Sequence, residues 1–122
     1  MKFFICEHCK NIITFLKEAG APVSCCGEKM KELVANTTDA ATEKHVPVVE
    51  IADGKVSVNV GSVSHPQSEE HLIEWICLET ANGVQFKKLS ASDKPEAEFL
   101  ICPDDEVKAV YAYCNLHGLW KA

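Results

Sequence analysis

The sequence predicts a mostly β protein in two parts, a small metal-binding domain followed by an antiparallel β-sandwich. Four cysteines crowd the first quarter of the chain, a polar stretch follows at residues 36–39, and short apolar segments separated by turn residues fill the remainder. A segment of about 35 residues buries too little apolar surface to fold without a staple such as a metal ion. We therefore predict a metal-binding domain over residues 1–36 and a sandwich over residues 37–122.

Two hairpins are predicted in the second part from turn dipeptides flanked by apolar segments. Asp53-Gly54 separates residues 46–51 from residues 55–60, where valine alternates with polar residues. This alternation places one face of a strand against a core, and Asp-Gly favours a tight hairpin turn. Asn82-Gly83 is a second turn signal. It separates predicted strands at residues 72–80 and 84–87.

Two more strands are predicted at residues 97–102 and 107–114, and no long helical period is present. Many short strands with frequent turns are typical of an immunoglobulin-like antiparallel β-sandwich. In the last predicted strand, simple alternation puts four side chains on one face: Val107, Ala109, Tyr111 and Tyr113.

Composition excludes several classes of function. The net charge is −6 and no basic run is present, which argues against a nucleic-acid partner. No apolar stretch approaches the roughly 18 residues of a membrane helix. The opening MKFFICEHC lacks the pattern of a secretory signal, so we expect a cytoplasmic protein. In a reducing compartment, its seven cysteines are expected to be metal ligands and buried thiols rather than disulfides.

The first cluster has the spacing C-x2-C, fifteen intervening residues, then C-C. Four thiolates form a tetrahedral site that suits iron or zinc. A structural zinc ribbon is the simpler alternative, although such ribbons more often use two C-x2-C halves. The candidate ligands are Cys6, Cys9, Cys25 and Cys26.

A second cluster combines four imidazoles with one thiolate. A single histidine in a core is more often a hydrogen-bonded residue than a ligand. Here four of the five histidines lie outside the cysteine-rich part, and Cys114 and His117 have a C-x2-H spacing that can chelate one metal. Five protein ligands leave one octahedral position free, which is typical of a reactive site. The candidate ligands are His45, His65, His71, Cys114 and His117.

The N-terminal part, over residues 1 to about 36, resembles desulforedoxin, a small protein with an iron–tetrathiolate centre. Gly27 follows the second cysteine pair, where a tight turn is needed. Lys10 departs from the pattern, since related centres usually have glycine directly after the second cysteine. A lysine at this position must adopt backbone angles that favour glycine.

Motifs in the second part resemble those of superoxide reductases. They are Glu43-Lys44-His45-Val46-Pro47, His65-Pro66, Glu70-His71 and Cys114-Asn115-Leu116-His117-Gly118-Leu119-Trp120. Together with the cysteine cluster, nearly the whole chain resembles desulfoferrodoxins, the two-iron form of that family.

The resemblance implies two iron ions per chain. One is held by four cysteine thiolates, and the other by four equatorial histidines and an axial Cys114. The implied activity is the one-electron reduction of superoxide to hydrogen peroxide without release of oxygen. A non-catalytic electron carrier and a superoxide dismutase are the alternatives.

The resemblance also implies roles for two charged residues beside the first histidine ligand. Lys44 is expected to attract the superoxide anion, and Glu43 to occupy the sixth position in the ferric resting state. Without the resemblance, an ordinary solvated loop would explain both charges equally well. The implied partners are rubredoxin or a similar reductase system as electron donor, and a second copy of the chain in a homodimer.

Overall fold

The structure is a computed structural model that describes all 122 residues. The chain forms two compact units, Met1–Val34 and Ala35–Ala122. Strands dominate both units, in agreement with the predicted mostly β class, and the protein has one helix of a single turn. The assignment of residues 1–36 and 37–122 to domains of different function stays a prediction.

The first unit contains five strands of two or three residues each. Three of them form an antiparallel sheet in the order β2-β1-β5, and β3 and β4 form a separate hairpin. Strands this short are not visible in the sequence, because alternation needs four or more residues to be recognised. They are β1 (Phe3–Ile5), β2 (Ile12–Thr14), β3 (Ser24–Cys25), β4 (Glu28–Lys29) and β5 (Lys31–Leu33).

The second unit is an antiparallel sandwich of two sheets, as predicted. A three-stranded sheet has the order β10-β7-β6, and a four-stranded sheet has the order β12-β11-β8-β9. The elements are α1 (Thr42–His45), β6 (Pro47–Ala52), β7 (Lys55–Val60), β8 (Ile73–Thr80), β9 (Val84–Lys88), β10 (Glu96–Leu100), β11 (Val107–Cys114) and β12 (Gly118–Lys121).

The core of the sandwich lies between the inner faces of these two sheets. The alternating valines of β7 are buried, as their pattern predicts. They pack in one cluster with residues of β8, β10 and β11, and Cys114 belongs to that cluster. The predicted thiolate ligand is therefore fixed at the edge of a close-packed core, where its neighbours leave it little freedom to move.

Both predicted turn dipeptides connect antiparallel neighbours in the structure. Asp53 and Gly54 have positive φ angles of 52° and 76°, and they join β6 to β7 in register from Pro47↔Val60 to Ala52↔Lys55. Two successive positive φ angles are the requirement of a type I′ turn, which explains why this dipeptide was informative.

The structure corrects three details of the predicted strands. Val107 does not share a face with Tyr111 and Tyr113, because the register of β11 against β8 shifts between Val107 and Ala109 and turns Val107 toward the core. The predicted strand at residues 97–102 ends at Leu100. The sequence also gave no sign of α1 or of β12, both of which carry or flank predicted ligands.

No helix of the protein has the length and apolar character required to cross a membrane.

Candidate metal centres

The four cysteines of the first unit converge from two turns. Cys6 follows β1 directly, and Cys25 ends β3 just before the turn at Cys26-Gly27. Their sulfur atoms, with that of Cys9, all lie within 4.8 Å of one another. The sulfurs of Cys9 and Cys25 are 3.6 Å apart. No disulfide joins any of the seven cysteines.

Backbone angles in both turns match the tight geometry expected of this centre. Lys10 has φ of +67° and Gly27 has φ of +78°, so each follows a cysteine pair in a left-handed conformation. The Lys10 N–H donates to the carbonyl of Cys6 at 2.9 Å, which closes the first turn. The lysine therefore adopts the conformation that glycine prefers, as expected from its position.

Crowding shifts the pKa of three of the four thiols. The N–H of Cys9 is the main cause that lowers the pKa of Cys6 to about 6, so one thiolate forms readily. Hydrogen bonding with Cys9 raises the pKa of Cys25, and hydrogen bonding with Cys9, Cys6 and Cys25 raises that of Cys26 to about 12. Four thiolates at this separation require a cation between them, which is the electrostatic signature of a metal site.

Residues of the second cluster are brought together from four segments of the sandwich unit. His45 ends α1, His65 and His71 lie in the connection between β7 and β8, and Cys114 ends β11. One donor atom from each of these four residues lies within 4.8 Å of the others. His117, in the turn before β12, places Nδ1 3.2 Å from Nε2 of His45 and 3.8 Å from the sulfur of Cys114.

Hydrogen bonds on the outer side of two rings decide which nitrogen faces the cluster. Nδ1 of His45 lies 2.7 Å from the carbonyl of Ala41, and Nδ1 of His65 lies 2.6 Å from that of Pro66. A carbonyl accepts only from N–H, so both rings carry their proton on Nδ1 and present the lone pair of Nε2 inward. This pattern is typical of metal-binding histidines.

Two ring nitrogens of the cluster have no hydrogen-bond partner. Nε2 of His65 and Nε2 of His71 are buried and have no hydrogen-bond partner in the protein. A buried polar atom without a partner costs free energy, and such atoms are rare in folded proteins. A metal ion would satisfy both lone pairs, so the residues present fit a bound metal.

Burial keeps these imidazoles in the neutral form that binds metals. It is the main cause that lowers the pKa of His45 and of His71, and it lowers that of His65 to about 4. Burial also raises the pKa of the Cys114 thiol, while the N–H groups of Leu116 and His117 lower it. The two N–H groups therefore prepare a position for a thiolate in an otherwise apolar environment.

Glu43 and Lys44 lie two residues and one residue before the end of α1, and both side chains are exposed. The positive charge of Lys44 contributes to lowering the pKa of His45 and of His71. Its field therefore reaches the histidine cluster.

Comparison with known proteins places the chain in a family. The family model described as Desulfoferrodoxin matches residues 37–122. The desulfoferrodoxin of Nitratidesulfovibrio vulgaris is 50% identical over 122 residues, which cover 99% of this chain and 94% of the relative. The chain belongs to the desulfoferrodoxin family.

Similarity to proteins named superoxide reductase extends to structure. The crystal structure of the superoxide reductase from Treponema pallidum superposes with a TM-score of 0.84 at 41% identity, covering 99% of this chain and 97% of that one. The superoxide reductase of Pyrococcus horikoshii is 39% identical over 110 residues, covering 75% of this chain and 94% of the relative.

Sequence reasoning missed the groups that hold the candidate ligands in place. Trp120, the last residue of the motif that contains Cys114 and His117, is one such group. Its ring stacks on that of His45 with centroids 4.9 Å apart, and its Nε1–H donates to the His117 carbonyl at 3.2 Å. The carbonyls of Ala41 and Pro66 carry no sequence signal at all, because every residue has one.

Proposed function

We propose that this chain is a superoxide reductase whose reactive centre is formed by His45, His65, His71, Cys114 and His117. The observation that carries the proposal is the convergence of neutral imidazoles and a buried thiol, with two ring nitrogens left without partners. Imidazole and thiolate together suit iron. Ferrous iron, when bound there, supplies the one electron that converts superoxide and two protons to hydrogen peroxide.

The protein's own contribution is to hold the donor set rigidly and partly out of water. His45 and His65 are 2% and 3% exposed, and Cys114 is fully buried. Their backbone partners fix each ring, so the donors need not reorganise during turnover. The thiolate of Cys114, stabilised by two N–H groups, would supply a bound metal with electron density that imidazoles cannot.

Glu43 and Lys44 are proposed to act on the anionic substrate. The net charge of −6 repels superoxide at long range. A cation close to the centre reverses that repulsion locally, and Lys44 is exposed and near enough to affect two of the histidines. Glu43 is proposed as a carboxylate that would bind the oxidised metal in the resting protein.

Cys6, Cys9, Cys25 and Cys26 are proposed to bind a second iron as an auxiliary redox centre. Cys9 and Cys26 are exposed, so one side of this centre is open to solvent. We further propose rubredoxin or a similar reductase system as the electron donor, a homodimer as the assembly and the cytoplasm as the location.

The deciding experiment measures hydrogen peroxide formed per superoxide consumed by the pre-reduced, iron-loaded protein. A reductase yields close to one peroxide per superoxide and releases no oxygen. A dismutase yields about half as much, with oxygen, and either that result or the absence of consumption would overturn the proposal.

Two cysteine variants make the test specific to the second centre. Cys114→Ser is expected to abolish rapid consumption or iron binding, because it removes the only thiolate of the donor set. Cys102→Ser is the matched control, since Cys102 is exposed and outside both clusters. Normal iron content and normal consumption in Cys114→Ser would contradict the assigned role.

A further inference from the structure

His71 is a candidate donor of the second centre whose ring is not oriented by a backbone carbonyl, unlike the rings of His45 and His65. Both His45 and His65 are oriented by a carbonyl at Nδ1, whereas the buried Nε2 of His71 has no hydrogen-bond partner in the protein. The ring is half-buried, and it lies in a connection without regular secondary structure. Its direction must therefore be set through the backbone on either side of it.

Asn115 supplies that backbone support from another segment of the chain. Its side-chain oxygen accepts from the N–H of Leu72 at 3.0 Å, and its side-chain NH₂ donates to the carbonyl of Glu70 at 2.9 Å. Its own N–H donates to the carbonyl of Leu72 at 3.2 Å. These three hydrogen bonds enclose His71, one residue before it and one residue after it.

We call the three hydrogen bonds of Asn115 to Glu70 and Leu72 the clamp. Other hydrogen bonds in the connection between β7 and β8 do not replace it. Ser68 closes a turn on His71, with its N–H 2.9 Å from the His71 carbonyl, but this links His71 only to its own loop. Gln67 accepts from the N–H of Ile73 at 2.6 Å, which fixes the point where β8 begins. Among these residues, Asn115 alone bonds on both sides of His71.

The position of Asn115 in the sequence makes the clamp effective. It follows Cys114 directly and precedes His117 by two residues, so its backbone moves with two other donors of the centre. A hydrogen-bonded amide at this point ties the His71 backbone to the end of β11. Short side-chain clamps of this kind define distances more sharply than a solvent-exposed loop can.

We infer that Asn115 is a positioning residue that holds His71 at the distance from Cys114 that the metal requires. The inference rests on the proposed function, because it takes His71 to be a ligand. Removing the clamp should loosen one donor of five while the other four remain, so the centre should still load but retain its metal less well.

The test compares Asn115→Ala and Asn115→Asp with wild type in the full-length, iron-loaded protein. Three quantities are measured: the rate of iron loss to a chelator from each centre, the thiolate-to-iron absorption of the oxidised second centre, and its midpoint potential. We expect Asn115→Ala to lose iron from the second centre about tenfold faster, with altered absorption and potential. Asn115→Asp keeps the acceptor for the N–H of Leu72. Its rate of iron loss should therefore lie between those of wild type and Asn115→Ala.

Two controls separate positioning from general destabilisation. Asn59→Ala changes an exposed asparagine on β7 and should behave as wild type. The four-cysteine centre is an internal reference whose absorption and rate of iron loss should not change. Wild-type absorption and iron retention at the second centre of Asn115→Ala would overturn the inference, as would equal acceleration at both centres with unchanged absorption.

The outcome is separable from that of the proposed function. A wild-type protein that loads iron at the second centre but produces no peroxide would refute the proposed activity, and the clamp could still be measured by retention and absorption. A wild-type protein that loads no iron there would overturn both.

Discussion

At the scale of single residues, the second centre is prepared by groups that never touch a metal. Burial holds the pKa of His65 at about 4, so this imidazole is neutral throughout the physiological range. The carbonyls of Ala41 and Pro66 then select which nitrogen of each ring is free. Protonation state and ring direction are thus set before any ligand arrives, which lowers the cost of assembling the site.

Lys44 provides a prediction at the same scale. Lys44→Ala removes the cation that lies near His45 and His71, so capture of superoxide should slow by about tenfold at low ionic strength. Salt screens the interaction, and the difference from wild type should shrink as ionic strength rises. Pulse radiolysis or stopped-flow measurement of the second-order rate would test this.

Lys88→Ala is the matched control, because it removes an equal charge from the exposed strand β9. It should leave the rate and its salt dependence close to wild type. Equal rates for Lys44→Ala and wild type at every ionic strength would remove the argument for local attraction.

At the scale of elements, the loop after β7 fixes the segment that carries Glu43 and Lys44. The N–H of Val63 donates to the carbonyl of Glu43 at 2.9 Å, and the Ser62 hydroxyl donates to the same oxygen at 3.3 Å. Gly61 lies so close that an added Cβ would overlap the Glu43 carbonyl and lie 2.8 Å from the Lys44 carbonyl carbon.

Gly61→Ala should therefore push α1 away from this loop. We expect the free energy of unfolding to fall by about 1–3 kcal/mol, the usual cost of overpacking. Capture of superoxide should slow as well, because Lys44 moves. Urea titration and rate measurement on the same preparation would check both expectations.

Gly83→Ala is the control for the glycine substitution, since an added Cβ at Gly83 meets nothing within 4 Å. It should leave the free energy of unfolding and the rate of superoxide capture close to their wild-type values. If Gly61→Ala matched Gly83→Ala in stability and in the rate of superoxide capture, the close approach of Gly61 would not constrain the position of Glu43 and Lys44.

A second element-scale feature is the carboxylate that ties the end of β8 to the connection before β11. Asp105 accepts from the Thr80 hydroxyl at 2.7 Å and from the N–H groups of Glu106 and Asn82 at 2.8 and 3.2 Å. The hydroxyl of Thr80 is the largest of the causes that lower the pKa of Asp105. The ionised form is therefore the one that the folded state stabilises.

Because the folded pKa of Asp105 lies below its unfolded value, its stabilisation is present above the unfolded pKa and is lost as the pH falls through the folded pKa. Asp105→Asn should lower the urea midpoint at pH 7, and the difference from wild type should close below about pH 4. Asp104→Asn, one residue away and exposed, is the control. A difference that persists undiminished at low pH would contradict the assignment.

At the scale of the whole molecule, the two units differ in what stabilises them. Val56, Ile76 and Val110 are among many fully buried side chains of the sandwich. In Met1–Val34 the buried apolar residues are Phe3, Cys6 and Met30. These few buried side chains cannot offset the conformational entropy that the unit loses on folding. A bound metal is therefore expected to contribute most of the unit's stability.

Replacing Cys9 and Cys26 together by serine should thus unfold the first unit and spare the sandwich. Hydrogen exchange should show loss of protection at the amides of β1 and retention at those of β8 and β11. The sandwich amides serve as the internal control within each molecule. Unchanged protection of β1 in a protein that binds no metal at this centre would contradict the expectation.

The sequence by itself determined the chemistry of both centres and most of the sandwich. Thiolate and imidazole donors are side-chain properties, and the Asp53-Gly54 turn is local, so neither requires knowledge of the fold. The left-handed conformation of Lys10 was expected from the resemblance, because related centres usually have glycine directly after the second cysteine. The strands of the first unit were not predictable, because two or three residues carry no periodicity.

Only the tertiary structure decided how the donors are aimed. The inward nitrogen of His45 depends on a backbone carbonyl, the course of Glu43 and Lys44 on the close approach of Gly61, and the face of Val107 on a register shift in β11. Each involves backbone groups, which every residue has, or a contact between segments distant in sequence. The sequence specifies which atoms can bind a metal, and the fold specifies where their lone pairs point.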